Sequence, residues 1–317
     1  MKWGQTMRCR DGWLIILILA MFSSGGFAQN VPPYPGWEAA WDGQNRFTIL
    51  VMGIDRRPDD TTRTYLDDVR ADTVMLVSFD PATQQIGVLG IPRDLHFARV
   101  DNGALTRVNS LLVFGEQRQP GYGPYFALET LQNNLGMYLD GYVAFDFEAF
   151  ITLVDALGGV TVEVQYTIDD PGFPDMYYRY DPLYLTPGVY QFNGYDALRY
   201  ARTRHGDSDY LRVQRQLQVV QAVRDRLRDE VVLTRMVGQA PLLFTRLQHH
   251  LYTNLPLQTA LALGLAIMDI EQSSITVGTI DQSYSYNYNT GTEVVRVPDR
   301  NRLGELLIAV FGATYGG

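Results

Sequence analysis

Five arginines, Arg199, Arg202, Arg204, Arg212 and Arg215, fall within one short stretch, with Asp207 and Asp209 among them. A guanidinium is no base near neutral pH, but its planar fork of N–H donors grips phosphate oxygens in pairs. In a chain of formal net charge −9, such a cluster suggests a site for a phosphate-bearing ligand. Other polar residues stand where apolar runs begin or stop: Asp55 after one, Arg70 and Asp72 at the start of a second, Arg93 and Asp94 after a third. Polar groups at strand ends suit a site at a sheet edge. Two aspartates with no histidine or cysteine nearby in sequence suit a hard cation. Mg²⁺ commonly takes one or two carboxylates and completes its shell with ligand phosphates and water. Arg212, Arg215 and Gln216, at i, i+3 and i+4, share one helix face. Singly, each has an ordinary structural reading. An Asp after a Gly is often a turn or a helix cap, and Arg93-Asp94 reads as a surface pair. His205 reads as a local hydrogen-bonding residue, and His249-His250 as a solvated helix end. Position has to decide.

The elements that must do the positioning alternate in type. Apolar runs over Arg46 to Gly53, Asp72 to Phe79 and Gln85 to Ile91 read as strands, the last two joined by a hairpin turn at Asp80-Pro81-Ala82-Thr83. Helical spacing covers Val108 to Phe114, Tyr125 to Leu135 and Phe147 to Leu157, the last closed by Gly158-Gly159. Tyr142 to Phe147 and Val160 to Val164 read as strands. Asp169 to Pro187 reads as a long loop. Asn193 to Arg202 and Asp209 to Arg228 follow as helices, the second with Val213, Leu217, Val220 and Leu227 on its core face. Helices near Pro241 to His249 and Leu257 to Met268 come next. Strands near Ser274 to Ile280 and Glu293 to Val297, then a helix from Arg300, complete the tail. This mixture predicts an α/β fold with a mixed central β-sheet flanked by helices.

The first residues have a different character. Lys2, Arg8 and Arg10 precede an apolar run, Trp13 to Phe22, followed by small residues up to Ala28. The pattern fits a signal peptide or a short membrane anchor. Residues 29–45 then read as a linker. Beyond residue 28 the chain has neither cysteine nor lysine, which excludes thiol nucleophiles, thiolate metal sites, disulfides and Schiff-base chemistry there. The acidic balance argues against nucleic acid and anionic membrane surfaces as partners.

Taken together, these pieces resemble the LytR-CpsA-Psr family of cell-wall glycopolymer transferases. The matching segments run in the family's order: Gly53-Ile54-Asp55-Arg56, Arg70-Ala71-Asp72-Thr73, Ile91-Pro92-Arg93-Asp94, Arg107-Val108-Asn109, Phe150 to Val162, and Gly188 to Gln216. They cover about Arg46 to Asp229. The resemblance implies an α/β sandwich and a catalytic domain over 46–230, with 231–317 as an α/β extension on the same globule. It implies an extracytoplasmic enzyme, anchored or secreted, that moves a glycopolymer from a polyprenyl-diphosphate lipid carrier to peptidoglycan. Mapped onto this chain, Asp55 and Asp72 match aspartates that hold Mg²⁺, with Mn²⁺ as a substitute. Arg70, Arg93, Arg202 and Arg204 match arginines around the diphosphate, and Asp209, Arg212 and Gln216 match further site positions, with Asp207 a rival of Asp209 for one role because the spacing from Arg204 is shorter than in some members. Arg93, Arg202, Arg204 and Asp209 are the expected catalytic set. The family places the lipid tail in an apolar groove between sheet and helices; Val108 to Phe114 is one candidate lining, and an ordinary core gives the same pattern. Two alternatives stay open at this point: a pyrophosphatase using water as acceptor, and a non-catalytic lipid- or glycan-binding or regulatory envelope protein.

Overall fold

The computed structural model describes residues 38–56, 69–177, 179–203, 209–247, 249–268 and 270–315. The N-terminal apolar run, Arg204, His205 and Asp207 therefore lie outside the described residues.

β1 (Phe47–Ile54) pairs antiparallel with β2 (Ala71–Asp80), which turns back into β3 (Gln85–Gly90) as the expected hairpin. β6 (Gly141–Phe145) joins β1 in parallel. Two late strands, β11 (Leu251–Thr253) against β6 and β12 (Ile275–Thr279) against β3, with helix α8 (Leu257–Met268) between them in sequence, complete a mixed six-stranded sheet. Both outer strands come from the segment after residue 230, so that segment is built into the central sheet. Between β3 and β6 lie the short hairpin β4 (His96–Ala98) and β5 (Leu105–Arg107), then α1 (Leu111–Arg118) and α2 (Gly123–Leu135).

Side chains along a strand alternate between faces, and here both faces are covered. Leu50, Met52, Ile54, Val74, Leu76 and Leu89 pack against α1, α2 and α9 (Arg300–Phe311). Val51, Met75, Val77 and Val88 face the other way, toward Val213 and Leu217 of α5 (Asp209–Leu227). Val143 and Phe145 of β6 meet α6 (Glu230–Gly238) and α7 (Ala240–Leu247) on that same side.

A second layer lies over this face. α3 (Phe147–Ala156) starts at Asp146, whose side chain accepts from Ala149 N, and stops at Gly158 and Gly159, both at positive φ. β7 (Val160–Val164) pairs with β10 (Gly188–Phe192). α4 (Gly194–Arg202) follows, capped by Asn193. The expected loop from Asp169 to Pro187 is instead an arm. β8 (Ile168–Asp170) pairs with β9 (Leu183–Leu185), and Phe173 and Met176 are buried beneath it. Three-residue strands are too short to give a periodic signal, and their pairing is made across the arm.

One helix face also differs from expectation. Val220 is 53% exposed, while Val219 and Ala222 are buried. α5 is covered on two sides, by the sheet at Val213 and Leu217 and by the second layer at Val219 and Ala222. A single amphipathic stripe cannot represent a helix packed between two layers.

Asp140 ties the starts of β1 and β6 together. Its Oδ2 accepts from Thr48 N at 2.7 Å, and its own N donates to Thr48 O at 2.8 Å. Burial pushes its carboxyl from 3.8 up to about 6. The folded state thus holds this proton more tightly than the unfolded chain does. The associated stability is fully present below the unfolded value and is lost as pH rises through the folded one. Asp140→Asn keeps the acceptor and removes the charge. Its melting temperature should change less than wild type's between pH 4 and 6. At pH 8 it should lie above wild type by a few degrees, for about 1 kcal/mol after solvent screening. Parallel melting curves across that range would contradict the assignment.

Candidate active site

A cavity of about 390 Å³ opens between the sheet and the second layer. Val51, Gly53 and Met75 form part of its wall on the sheet side, and the polar residues gather beside them. Asp55 continues the alternation of Val51 and Gly53 past the end of β1. Asp72 arrives by a different route. In the β1–β2 ladder Gly53 faces Thr73 and Ile54 faces Ala71, so Asp72 is the extra residue of a bulge. Strict alternation would aim Asp72 and Thr73 at opposite faces; with the bulge, both line the cavity. Gly53 relieves the same crowding. A Cβ there would sit 3.0 Å from Thr73 Cβ.

Arg93, just past β3, reaches Asp72 with Nη1 2.5 Å from Oδ2. Asn109 Nδ2 lies 3.5 Å from the other Asp72 oxygen, and Asn109 N donates to Arg93 O at 3.3 Å. Gln216 Nε2 donates to Thr73 Oγ1 at 2.9 Å, pinning α5 to β2. Arg212 is buried, one turn before Gln216, and both line the cavity. Arg202, at the end of α4, lies with its guanidinium carbon 4.1 Å from the Phe147 ring centroid and 5.5 Å from that of Phe173. The two aromatic faces hold this cation at the cavity wall.

The structure thus brings Asp55, Asp72, Arg93, Arg202, Arg212 and Gln216 to one cavity. Arg70 is exposed and absent from the cavity wall, although its carbonyl accepts from Asp55 N at 2.9 Å. Arg204 lies outside the described residues, and Asp209 is described only as the first residue of α5.

Arg215 turns away from the cavity, unlike its helix neighbours. It is 1% exposed; Nε donates to Tyr200 O at 3.1 Å, Nη1 to Tyr166 Oη at 3.0 Å, and Nη2 to Thr203 O. It satisfies carbonyls at the C-terminal end of α4 and so fixes the turn that follows Arg202. Thr203 Oγ1 in turn donates to buried Asp170, which lines the cavity.

Two site residues carry little sequence signal. Asp146 is 2% exposed, lines the cavity and lies 2.7 Å from His250 Nδ1. His250 is therefore a tether between the tail and α3. Asp170 sits in the arm, where an acidic loop was expected. The Asp-Phe pair at 146–147 before an apolar helical run is a legible N-cap, but an N-cap does not announce a cavity.

The donor set bears on a metal. Asp55 and Asp72 offer two hard carboxylates on one wall, and no group of three or more His, Cys, Asp or Glu suited to a metal occurs among the described residues. Two carboxylates without nitrogen or sulfur ligands fit Mg²⁺ or Mn²⁺ shared with ligand phosphates. They do not fit a fully protein-coordinated ion.

The apolar side of the cavity is formed by β6, α3, α4, α5 and the arm, and of the two readings open for Val108 to Phe114 the structure shows the ordinary core. Val108, Leu111 and Leu112 belong to the core on the opposite face of the sheet. Phe145, Phe150, Val219 and Val220 also line an adjoining cavity of about 330 Å³, whose other lining residues include Val143, Leu153, Val154, Val223, Leu251 and Leu255. Among the described residues, that lining carries no charged side chain.

A family model described as the LytR_cpsA_psr family matches residues 29–306. The polyisoprenyl-teichoic acid–peptidoglycan teichoic acid transferase TagU of Halalkalibacterium halodurans is 34% identical over 182 residues, which make up 57% of this chain and 53% of that protein. The regulatory protein MsrR of Staphylococcus aureus (strain COL) is 30% identical over 255 residues, 78% of this chain and 68% of that protein. Among solved structures, that of Bacillus subtilis TagV superposes with a TM-score of 0.64 at 25% identity, covering 83% of this chain and 94% of that one. The chain spans about half the length of the curated transferases it matches.

Proposed function

The chain belongs to the LytR-CpsA-Psr family, and on that premise we propose that it is a phosphotransferase that moves a glycopolymer from a polyprenyl-diphosphate carrier to peptidoglycan. The observation that carries this reading is the joining of two unlike cavities. One holds guanidinium and carboxylate groups; the other, sharing Phe145, Phe150, Val219 and Val220 with it, is apolar. A ligand that satisfies both has a charged phosphate head and a hydrocarbon tail.

In the proposed reaction a hydroxyl oxygen of the acceptor attacks the phosphorus that carries the glycan. The bond from that phosphorus to the bridging oxygen breaks, polyprenyl phosphate leaves and the hydroxyl proton is released. A phosphodiester joins glycan to acceptor. Charge spreads over the phosphoryl and leaving oxygens, so catalysis is chiefly positioning and charge stabilisation. Arg93 is held in place by Asp72, Arg202 by its two rings and Arg212 by burial, so their donors are oriented before the ligand arrives. Arg204 and Asp209 are proposed to join them. Asp55 and Asp72 would hold Mg²⁺, which when bound would draw charge from the diphosphate oxygens. A polyprenyl-linked substrate and a wall acceptor meet outside the cytoplasmic membrane, and the domain is proposed to act there.

The direct test incubates the purified chain with a polyprenyl-diphosphate-linked glycan and peptidoglycan. Glycan joined covalently to peptidoglycan, with release of polyprenyl phosphate, is expected. Release of free glycan phosphate with water as acceptor would make the protein a hydrolase instead. The tail cavity has its own test. Val220 is 53% exposed and lies on the wall shared by the two cavities, so Val220→Trp fills space without overpacking a core. This variant should fold normally and lose most of any polyprenyl lipid that co-purifies. Its KM for the lipid donor should rise about tenfold or more. Unchanged lipid content on extraction and mass spectrometry would remove the tail from this cavity.

A further inference from the structure

A second concavity, about 620 Å³, lies apart from the residues of the diphosphate site. It is a trough between the β4–β5 hairpin and the hairpin formed by β13 (Ser285–Asn289) and β14 (Val294–Pro298), with the start of α9 at one end. Tyr286 and Tyr288 stand on the same face of β13, two residues and roughly 7 Å apart. They are 48% and 46% exposed, while their cross-strand neighbours Val297 and Val295 are buried. The rings therefore present area to the trough that the core does not use.

The hairpin that carries them is braced. Arg296 Nε donates to Ser285 Oγ at 2.8 Å, and Thr290 Oγ1 closes the far turn by donating to Glu293 O at 3.0 Å. Preorganised rings lose little entropy on binding. The polar groups around them are mixed. Asp299 and Arg300 bring one charge of each sign, and Asn301 adds an amide. Burial holds the His96 imidazole below its usual range, so it enters as a neutral donor or acceptor. With one arginine and one aspartate, the lining is no phosphate grip. With exposed tyrosine edges and amides it is no lipid tunnel either.

Paired aromatic faces among neutral and balanced polar groups fit a ligand with apolar C–H faces and a rim of hydroxyl and amide groups. We propose that this trough binds a polysaccharide chain, with sugar rings on Tyr286 and Tyr288 and their polar substituents toward His96 and Asn301. The binding itself is separate from the transfer chemistry. Its assignment to the acceptor, the glycan strand of peptidoglycan, rests on the function proposed above.

The experiment measures binding of the full chain to peptide-free glycan strands of peptidoglycan, with soluble stem peptides as a second probe. Wild type should bind the strands and not the peptides. Tyr286→Ala/Tyr288→Ala should weaken strand binding about tenfold with an unchanged melting temperature, the expected loss for two stacked rings. Tyr286→Phe/Tyr288→Phe, which keeps the rings, should retain most binding. Arg93→Ala should bind like wild type, which separates this site from the diphosphate site. No strand binding by wild type, equal binding by a folded double alanine variant, or binding of stem peptides alone would each overturn the proposal. Strand binding without any transfer activity would leave this site standing and remove the proposed reaction.

Discussion

Arg93→Ala should lower the proposed transfer rate by about 10²–10³-fold while the protein stays folded, the usual cost of removing one preorganised donor from a developing oxyanion. Arg93 is half-buried past the end of β3, outside the apolar cluster of the sheet, so its loss leaves the core intact. Arg93→Lys should recover less than tenfold of that loss. Lysine can pair with Asp72 as a point charge, but it cannot offer two parallel N–H donors to phosphate. The Asp72 contact makes the interpretation testable. If Arg93 served only to orient Asp72, then Asp72→Asn and the double variant Arg93→Ala/Asp72→Asn would be equally impaired, and lysine would rescue. If Arg93 binds the diphosphate, the double variant falls below either single one. Arg202→Ala is expected to match Arg93→Ala in size. Full activity in both lysine variants would remove direct phosphate binding by these arginines.

The second large effect concerns the carboxylates. Asp55→Asn and Asp72→Asn should each lower activity by about 10²-fold or more, because an amide keeps the shape and gives up the negative charge that a hard cation needs. Chelation should abolish wild-type activity, and Mg²⁺ or Mn²⁺ should restore it. In the variants the metal concentration needed for half-maximal activity should rise. Binding of Mn²⁺ measured directly in the presence of the lipid donor should weaken in parallel, which gives a readout independent of turnover. Asparagine variants with normal metal dependence would show that Asp72 serves Arg93 alone and that Asp55 is a strand-end residue.

Much of the site was legible because its chemistry is local. Asp55, Asp72, Arg93, Arg202, Arg212 and Gln216 were chosen by residue type and by position at strand ends and on one helix face, and all six line the cavity. The strands carrying them were readable because each is a run of buried side chains, and buried strands are nearly continuous in hydrophobicity. The same local logic set Arg70 beside Asp72, while the structure has it exposed and off the cavity wall, and it read as a loop the arm from Ile168 to Leu185, whose strands exist through pairing with each other.

By itself the sequence determined the order of the elements, the mixed α/β character of the sheet and the identity of the arginines and aspartates that meet at the cavity. Each of these follows from periodicity and residue chemistry within a short window. The tertiary structure decided which face each group serves. A bulge no window reveals turned Asp72 onto the cavity side beside Thr73. Burial between two layers made Arg215 a brace for α4 while Arg212, three residues earlier, stayed in the cavity wall. It also moved Val220 from an expected core position to the shared wall of two cavities, and placed Val108 to Phe114 on the far side of the sheet from both. The physical reason is common to all four. A side chain's direction is set by the strand register and layer packing of residues distant in sequence, and those contacts form only when the chain closes on itself.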